Sequence, residues 1–557
     1  MSGANTGNPT RALLAAASAA IRQSLLLAAT ALFLLNFNVL GTATVTKRYS
    51  QDLTYAWFGD QPWLYPRVTS VAPRDAARAP VVVVIIDEPA LSLRSARWPV
   101  PVQFHAAFLA ELAVLAPRAI MLDFLLIDPA PPADTCAFLS LAGQLRDNGM
   151  PLYLAVTRLG DLAVLDAAHC QDSSGRPMSA ASVLTPVAIQ KQSDGSDFVN
   201  RTYPFEMRGS DDSLGSGLPS AAVRMYCDGR PVPAACWEQL ARAYAPDAGF
   251  DLAWSPAGDL FNQRWAATPC DLIPSPGRAI LYRQVLPRET ACPPVPTLFA
   301  SALLSPAEDA TLGAQNQTLF DLVGGSFVFV GGNFRGSGDL MTTPMHTLLP
   351  GVYYHAVALE NLLAFDGEPK VRKQFRQPRI AFYSYDLLVL WALAGIFLWR
   401  QRWVERMRPR GKSPFDMSAR ARNRISRLTA RIPTPIWVLA LVVTFVVLAA
   451  YPPLQLLALL IAIVAVVAIE LHIAPSAEIK DRARAMGYYW AALALSLAVI
   501  ALAIWVGYRW LRLPPGDWIG YLSFSAFGFF VAHVAILEFE HRVAETRHAR
   551  RRSGGSS

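Results

Sequence analysis

Pro80 to Asp87 reads Pro-Val-Val-Val-Val-Ile-Ile-Asp, a β-branched run with no polar position until its final acid. Such a run predicts a strand covered on both faces, as in a parallel sheet. Phe104, Phe108, Leu112 and Leu115 follow at helical spacing, and 118–123 (Arg-Ala-Ile-Met-Leu-Asp) predicts a second buried strand ending in an acid. A helical stretch over 136–147 and an apolar run over 152–156 continue the alternation. It resumes at 327–332 (Phe-Val-Phe-Val-Gly-Gly) and in a helix from about 352 to 364. Strands alternating with helices imply a parallel-rich sheet flanked by helices. Residues 158–300, rich in Pro, Gly, Asp and Ser, break the pattern and are expected to be insertions stapled onto this core.

Six further apolar stretches, 24–45, 381–399, 435–451, 454–471, 489–508 and 519–537, approach the roughly 20 residues needed to cross a bilayer core of about 30 Å. Pro452 and Pro453 suit a tight turn between the third and fourth. Leu25 to Val45 is longer than the roughly 7–15 apolar residues of a secretory signal, so it is expected to be an anchor. The expected fold is therefore an α/β extracytoplasmic domain, with a disulfide-bearing insertion, plus a six-span α-helical membrane region. Composition points the same way. Hydrophobic residues make up 53% and charged residues only 17%, against about 25% charged in ordinary soluble chains. A wholly soluble chain and a disordered one are both excluded on this reading.

Charge then orients the chain. The net charge of +8 would suggest a nucleic-acid partner if spread over one surface. It is not: residues 46–378 hold 26 basic and 32 acidic side chains, net −6, and the remainder is +14. Basic residues crowd the segments 1–23, 400–434, 473–487 and 538–557, which the positive-inside rule places in the cytoplasm with both termini. The domains expected are a cytoplasmic 1–23, a first span at 24–45, an outer domain at 46–378 and a second span at 381–399. A basic loop at 400–434, spans at 435–537 and a basic tail at 538–557 complete the layout. In the loop, Ile425, Leu428 and Ile432 share one helical face among Arg420, Arg422, Arg424, Arg427 and Arg431, a pattern that suits anionic lipid. No nucleic-acid-binding platform accompanies the basic residues.

All six cysteines, Cys136, Cys170, Cys227, Cys236, Cys270 and Cys292, fall within the outer domain. An even number on the oxidising side suits disulfides, and none has the CxxC spacing of a zinc site. Six cysteines allow fifteen connectivities; pairing in sequence order, 136–170, 227–236 and 270–292, is the expectation.

Several segments carry a resemblance. VVVVIIDEPAL, RWPVPVQFHAAFLAEL and PRAIMLDFLLIDP, then DFVNRTYPF and AILYRQVLP, and finally FVFVGGNFRGSGDLMTTPMHTLLPGVYYHAVALENLL occur in order over roughly 80–365. Together they resemble the type 2 CHASE family, the cyclase- and histidine-kinase-associated sensory extracellular domains. The resemblance implies a ligand sensor carried on membrane spans, commonly joined to a cytoplasmic cyclase or kinase. About 20 residues follow position 537, so no such output module is expected in this chain. The resulting expectation is a bacterial inner-membrane, multi-pass sensor that reports an extracytoplasmic ligand, or the state of the envelope, to a separate effector. The alternative is a non-catalytic assembly or binding subunit of a membrane complex. A homodimer is compatible with either, and membrane lipid is an expected partner.

In parallel sheets ligands bind beyond the carboxyl ends of the strands, where Asp87, Asp123, Gly331 and Gly332 are expected, the two acids on adjacent strands. Asp339 and His355 are expected to flank the same end. Arg201 is a candidate for pairing with an anionic ligand, with Asp87 or in a structural salt bridge. Ser337, Asp339 and His355 supply the residue types of a hydrolytic triad, but GSGD is not the GxSxG elbow. Neither HExxH nor the GxxxxGK spacing of a phosphate loop occurs. No catalytic residue, metal or cofactor is expected.

Overall fold

The computed structural model describes residues 81–172, 174–191, 198–207, 217–243, 249–254, 293–304, 319–334, 339–344 and 349–367, with short pieces between 48 and 55, 389 and 396, and 491 and 506. The chain divides into two units, one formed by 52–376 with 512–514 and the other by the remaining residues.

The first unit is built on a six-stranded sheet. Strands β1 (Val81–Asp87), β2 (Ala119–Leu122), β3 (Leu152–Val156), β4 (Leu184–Ala188), β9 (Thr297–Phe299) and β10 (Phe327–Asn333) lie in the order β4-β3-β2-β10-β1-β9. Every pairing is parallel, with Val84 opposite Val330 and Ile85 opposite Gly331. Helices α1 (Glu88–Leu93), α2 (Val102–Ala113), α3 (Pro132–Asp147), α4 (Ala163–Asp166) and α5 (Ala180–Val183) connect β1 to β4.

Alternation along the strands sorts side chains between two faces. Val82, Val84, Ile86, Ile120, Leu122, Val328 and Val330 share a core with Phe104, Phe108 and Leu112 of α2 and Phe138, Leu139 and Leu145 of α3. The other face is covered by α6 (Ala221–Asp228) and, over β1 and β10, by the last helix of the unit. Both faces are thus closed, which is why β1 and β10 carry unbroken apolar runs. The six fully buried Val and Ile residues of β1 alone contribute on the order of 10 kcal/mol of hydrophobic burial before the entropy cost of ordering the chain.

Beyond the sheet, α7 (Pro233–Ala243) follows α6, α8 (Ala300–Leu304) follows β9, and α9 (Val352–Ala364) closes the unit. Three two-stranded antiparallel ribbons pair β5 (Thr202–Pro204) with β8 (Gly249–Asp251), β6 (Glu206–Met207) with β7 (Leu218–Pro219), and β11 (Leu340–Met341) with β12 (Leu349–Pro350). Disulfides join Cys136 to Cys170, tying α3 to the segment after α4, and Cys227 to Cys236, tying α6 to α7. Both follow sequence order; Cys270 and Cys292 lie outside the described residues.

Three expectations are corrected. The parallel-rich α/β sheet is present, but the six-span helical region is not: among the described residues no helix is long and apolar enough to cross a membrane. Of the expected spans, 381–399 and 489–508 are described only in part. The stretches 24–45, 435–451, 454–471 and 519–537, the basic loop at 400–434 and the tail at 538–557 lie outside the described residues. Second, β1 and β2 are not neighbours, because β10 is inserted between them. Third, 158–300 is not merely an insertion, since it supplies both outer strands of the sheet, β4 and β9. Pro186 in β4 is tolerated because an edge strand need not donate every ladder hydrogen bond.

Candidate functional site

The insertion of β10 between β1 and β2 opens the topological crevice at the carboxyl end of the sheet where ligands of α/β folds gather. Asp123 stands one residue past β2, held there because its N–H donates to the Val330 carbonyl at 2.8 Å. By strand alternation it shares a face with Gly331, and that face meets α9. A Cβ built at Gly331 would lie 2.5 Å from the Val352 Cβ, so glycine is what lets the first turn of α9 approach the strand. That approach brings in His355, one turn into α9.

His355 is 1% exposed, and its Nδ1 lies 2.7 Å from the Tyr203 hydroxyl on β5. The same hydroxyl oxygen accepts the Ala222 N–H at 3.1 Å. Satisfying the phenol fully requires Tyr203 to donate its proton to Nδ1, which places the imidazole proton on Nε2. That Nε2 is buried and has no hydrogen-bond partner among the described residues. Burial, helped by the nearby charge of Lys191, pushes the His355 pKa down to about 3, so the ring is neutral near neutral pH. Burial also pushes the Tyr203 hydroxyl well up from its ordinary value, which keeps it a phenol and therefore a donor.

Lys191, three residues beyond β4, is ion-paired with Asp339, just before β11. Burial lowers its pKa, and the charge of Asp123 opposes that shift. Asp339 is fixed in turn because its carbonyl accepts the Gly351 N–H at 2.8 Å. A side chain at Gly351 would run into both Asp339 and Lys191. Asp123 remains half-buried as a residue, yet its Oδ2 is closed off from solvent and without a hydrogen-bond partner among the described residues. Burial pushes its carboxyl pKa up to about 6, with Lys191 pulling the other way.

The structure thus gathers Asp123, Asp339 and His355 around a lysine that the strand-end reasoning did not single out. Gly331 shapes the same place. Asp87 sits elsewhere: its carboxylate accepts the Ser301 hydroxyl at 2.7 Å and the Ser301 N–H at 3.1 Å, holding the start of α8. Arg201 does not pair with Asp87; it is buried in a bidentate ion pair with Asp52 at 2.8 and 2.9 Å. Gly332 faces the opposite side of the sheet, against Phe334 and Phe124. Ser337 lies outside the described residues. Among the described residues no group of three or more His, Cys, Asp or Glu is placed to hold a metal ion.

Lys191 has a sequence signal of its own. It is the single lysine between Arg48 and Pro369, in a region that otherwise uses arginine throughout. Tyr203 lies in the DFVNRTYPF segment, where only its arginine had drawn notice.

The sheet order and this cluster fall inside a stretch that a family model recognises: the CHASE2 domain model matches residues 26–397. The chain belongs to the CHASE2 domain family. No curated protein and no solved structure matches the chain. CHASE2 is a family of sensory domains, and in this CHASE2 domain the polar cluster is assembled from four separated parts of the matched stretch. The insertion of β10 and the seating of α9 on Gly331 are what bring them together.

Proposed function

We propose that this CHASE2 domain is the sensing element of a receptor for a small, hydroxyl-bearing ligand, bound where Asp123, Lys191, Asp339 and His355 converge. The observation that carries this reading is a buried donor and a buried acceptor left open together. Among the described residues the Nε2–H of His355 and the Oδ2 of Asp123 both lack partners, and the charge of Lys191 acts on both residues. Buried polar groups are seldom left unpaired without a use. A hydroxyl can serve both, donating to the carboxylate and accepting from the imidazole. Two disulfides in the domain support a location outside the cytoplasm. Occupancy would then be reported to a separate effector protein.

The test is the unfolding midpoint of the full-length protein against a panel of monosaccharides and polyols. A member that binds the folded state raises the midpoint by mass action. The increment should disappear in Asp123→Asn and in His355→Phe. If no member raises the midpoint, or the increment survives both substitutions, the reading is wrong.

A further inference from the structure

On the face of the sheet away from His355, aromatic rings run in a continuous row from the core to the surface. Between ring centroids, Phe104 lies 6.0 Å from His105, His105 4.7 Å from Phe124, Phe124 6.5 Å from Phe334, and Phe334 5.4 Å from Trp98. Each spacing is that of interacting rings. The row is buried from Phe104 to Phe334, whereas Trp98 at its end is 50% exposed. A cleft of about 440 Å³ opens where the row stops, lined by Trp98, Phe334, Leu91 and the turn that follows α1. That volume is within the roughly 300–1,000 Å³ of small-molecule sites.

The turn is held by contacts within the protein. Ser95 takes a left-handed conformation (φ 53°), the Ala96 N–H returns to the Leu91 carbonyl at 2.8 Å, and Arg94 is paired with Glu111 of α2 at 3.5 Å. Arg97, by contrast, has no hydrogen bond, ion pair or ring contact among the described residues. Glu88 in the same lining is already engaged in an interaction of its own, and the other lining residues are uncharged. Among the described residues the unmatched charge of the cleft is therefore positive, and it sits next in sequence to the open Trp98 ring. A guanidinium offers a carboxylate two parallel N–H donors, and an aromatic ring laid on Trp98 extends the row by one member. A cation meets Arg97 and finds no open acid, while a small inorganic anion leaves the ring faces uncovered.

We propose that this cleft binds a small aromatic monocarboxylate, with its carboxylate on Arg97 and its ring against Trp98 and Phe334. The site is separate from the Asp123–His355 cluster and does not depend on it.

Isothermal titration of the full-length protein with phenylacetate, its uncharged amide phenylacetamide, and acetate tests this. Phenylacetate should bind about tenfold or more tighter than either, because the amide lacks the charge and acetate lacks the ring. Arg97→Gln should weaken phenylacetate about tenfold or more, the scale of a lost charged hydrogen bond, while leaving phenylacetamide unchanged. Trp98→Ala should weaken phenylacetate and phenylacetamide alike. Asp123→Asn should leave phenylacetate binding intact, which separates this site from the polar cluster. The proposal is overturned if phenylacetate gives no binding, if phenylacetamide binds the parent equally well, if Arg97→Gln leaves phenylacetate affinity unchanged, or if Asp123→Asn abolishes it. Arg97 and Trp98 both lie at an exposed lip, and an unchanged unfolding midpoint will show that each variant is folded.

Discussion

Asp123 is held in a state that its own chemistry disfavours. Burial raises its pKa from the usual value near 3.8 to about 6, so above that pH the folded protein carries an ionised carboxylate with one oxygen shielded and, among the described residues, unpaired. A carboxyl whose folded pKa exceeds its unfolded value lowers stability as pH rises between the two, here from about 4 to 6, and the loss is complete above 6. Asp123→Asn removes the charge, so the variant should be more stable than the parent at pH 7.5 by up to about 3 kcal/mol. Below pH 4 the difference should vanish. Denaturant midpoints at the two pH values decide this; an equal gain at both would mean that repacking, not charge, is responsible. Asp123 was legible in the sequence because an acid closes an otherwise apolar strand. His355 was legible as a polar residue in a helix-forming run. What could not be read was their shared neighbour: Lys191 reaches the cluster from beyond the edge strand β4, two places along the sheet from β2, and only the fold brings that segment to it.

Each element of the sheet announced itself when it was long and buried on both faces. The apolar runs at 81–87, 152–156 and 327–333 and the helix at 352–364 stand close to where periodicity put them. β4 and β9 did not show, since an edge strand of three to five residues with a Pro or Thr inside lacks a period long enough to read. Nor does chain order reveal that β10 fills the slot between β1 and β2, for the pairing joins segments more than 200 residues apart in sequence. The disulfides act on this assembly at the level of elements. Cys136–Cys170 closes 34 residues and Cys227–Cys236 closes 9. Chain-entropy arithmetic gives about 4 kcal/mol for the first and about 3 kcal/mol for the second. The paired substitution Cys136→Ala with Cys170→Ala should therefore lower the denaturant midpoint more than Cys227→Ala with Cys236→Ala. Both bridges surround core helices, so the reverse order would show that local packing, rather than loop closure, sets their contribution.

At the scale of the whole chain, the acidic 46–378 region and the basic remainder were visible at once in the sequence, whereas the contact that fastens the region's beginning to its middle was not. Asp52 and Arg201 are 149 positions apart, yet they form a bidentate pair with side chains 8% and 1% exposed. Hydrophobic periodicity carries no information about such a pair; the sequence offered Arg201 an anionic ligand, Asp87 or a structural salt bridge, and it is a structural salt bridge, with Asp52, that the fold makes. Two charges taken out of water recover their desolvation cost only together. Removing one partner should consequently be far worse than removing both. Asp52→Leu alone leaves a buried guanidinium without its carboxylate and is expected to cost about 3–5 kcal/mol. Arg201→Met alone should be similarly damaging. The double variant replaces the pair with apolar side chains and should recover most of the loss, ending within about 1–2 kcal/mol of the parent. Because Asp52 precedes the first strand and Arg201 precedes β5, the single variants should also loosen the 48–55 segment. Hydrogen exchange there should rise in Asp52→Leu and return toward the parent rate in the double variant. Additive losses in the double variant would instead show that the two residues are held by independent interactions and that the pair itself contributes little to anchoring the segment.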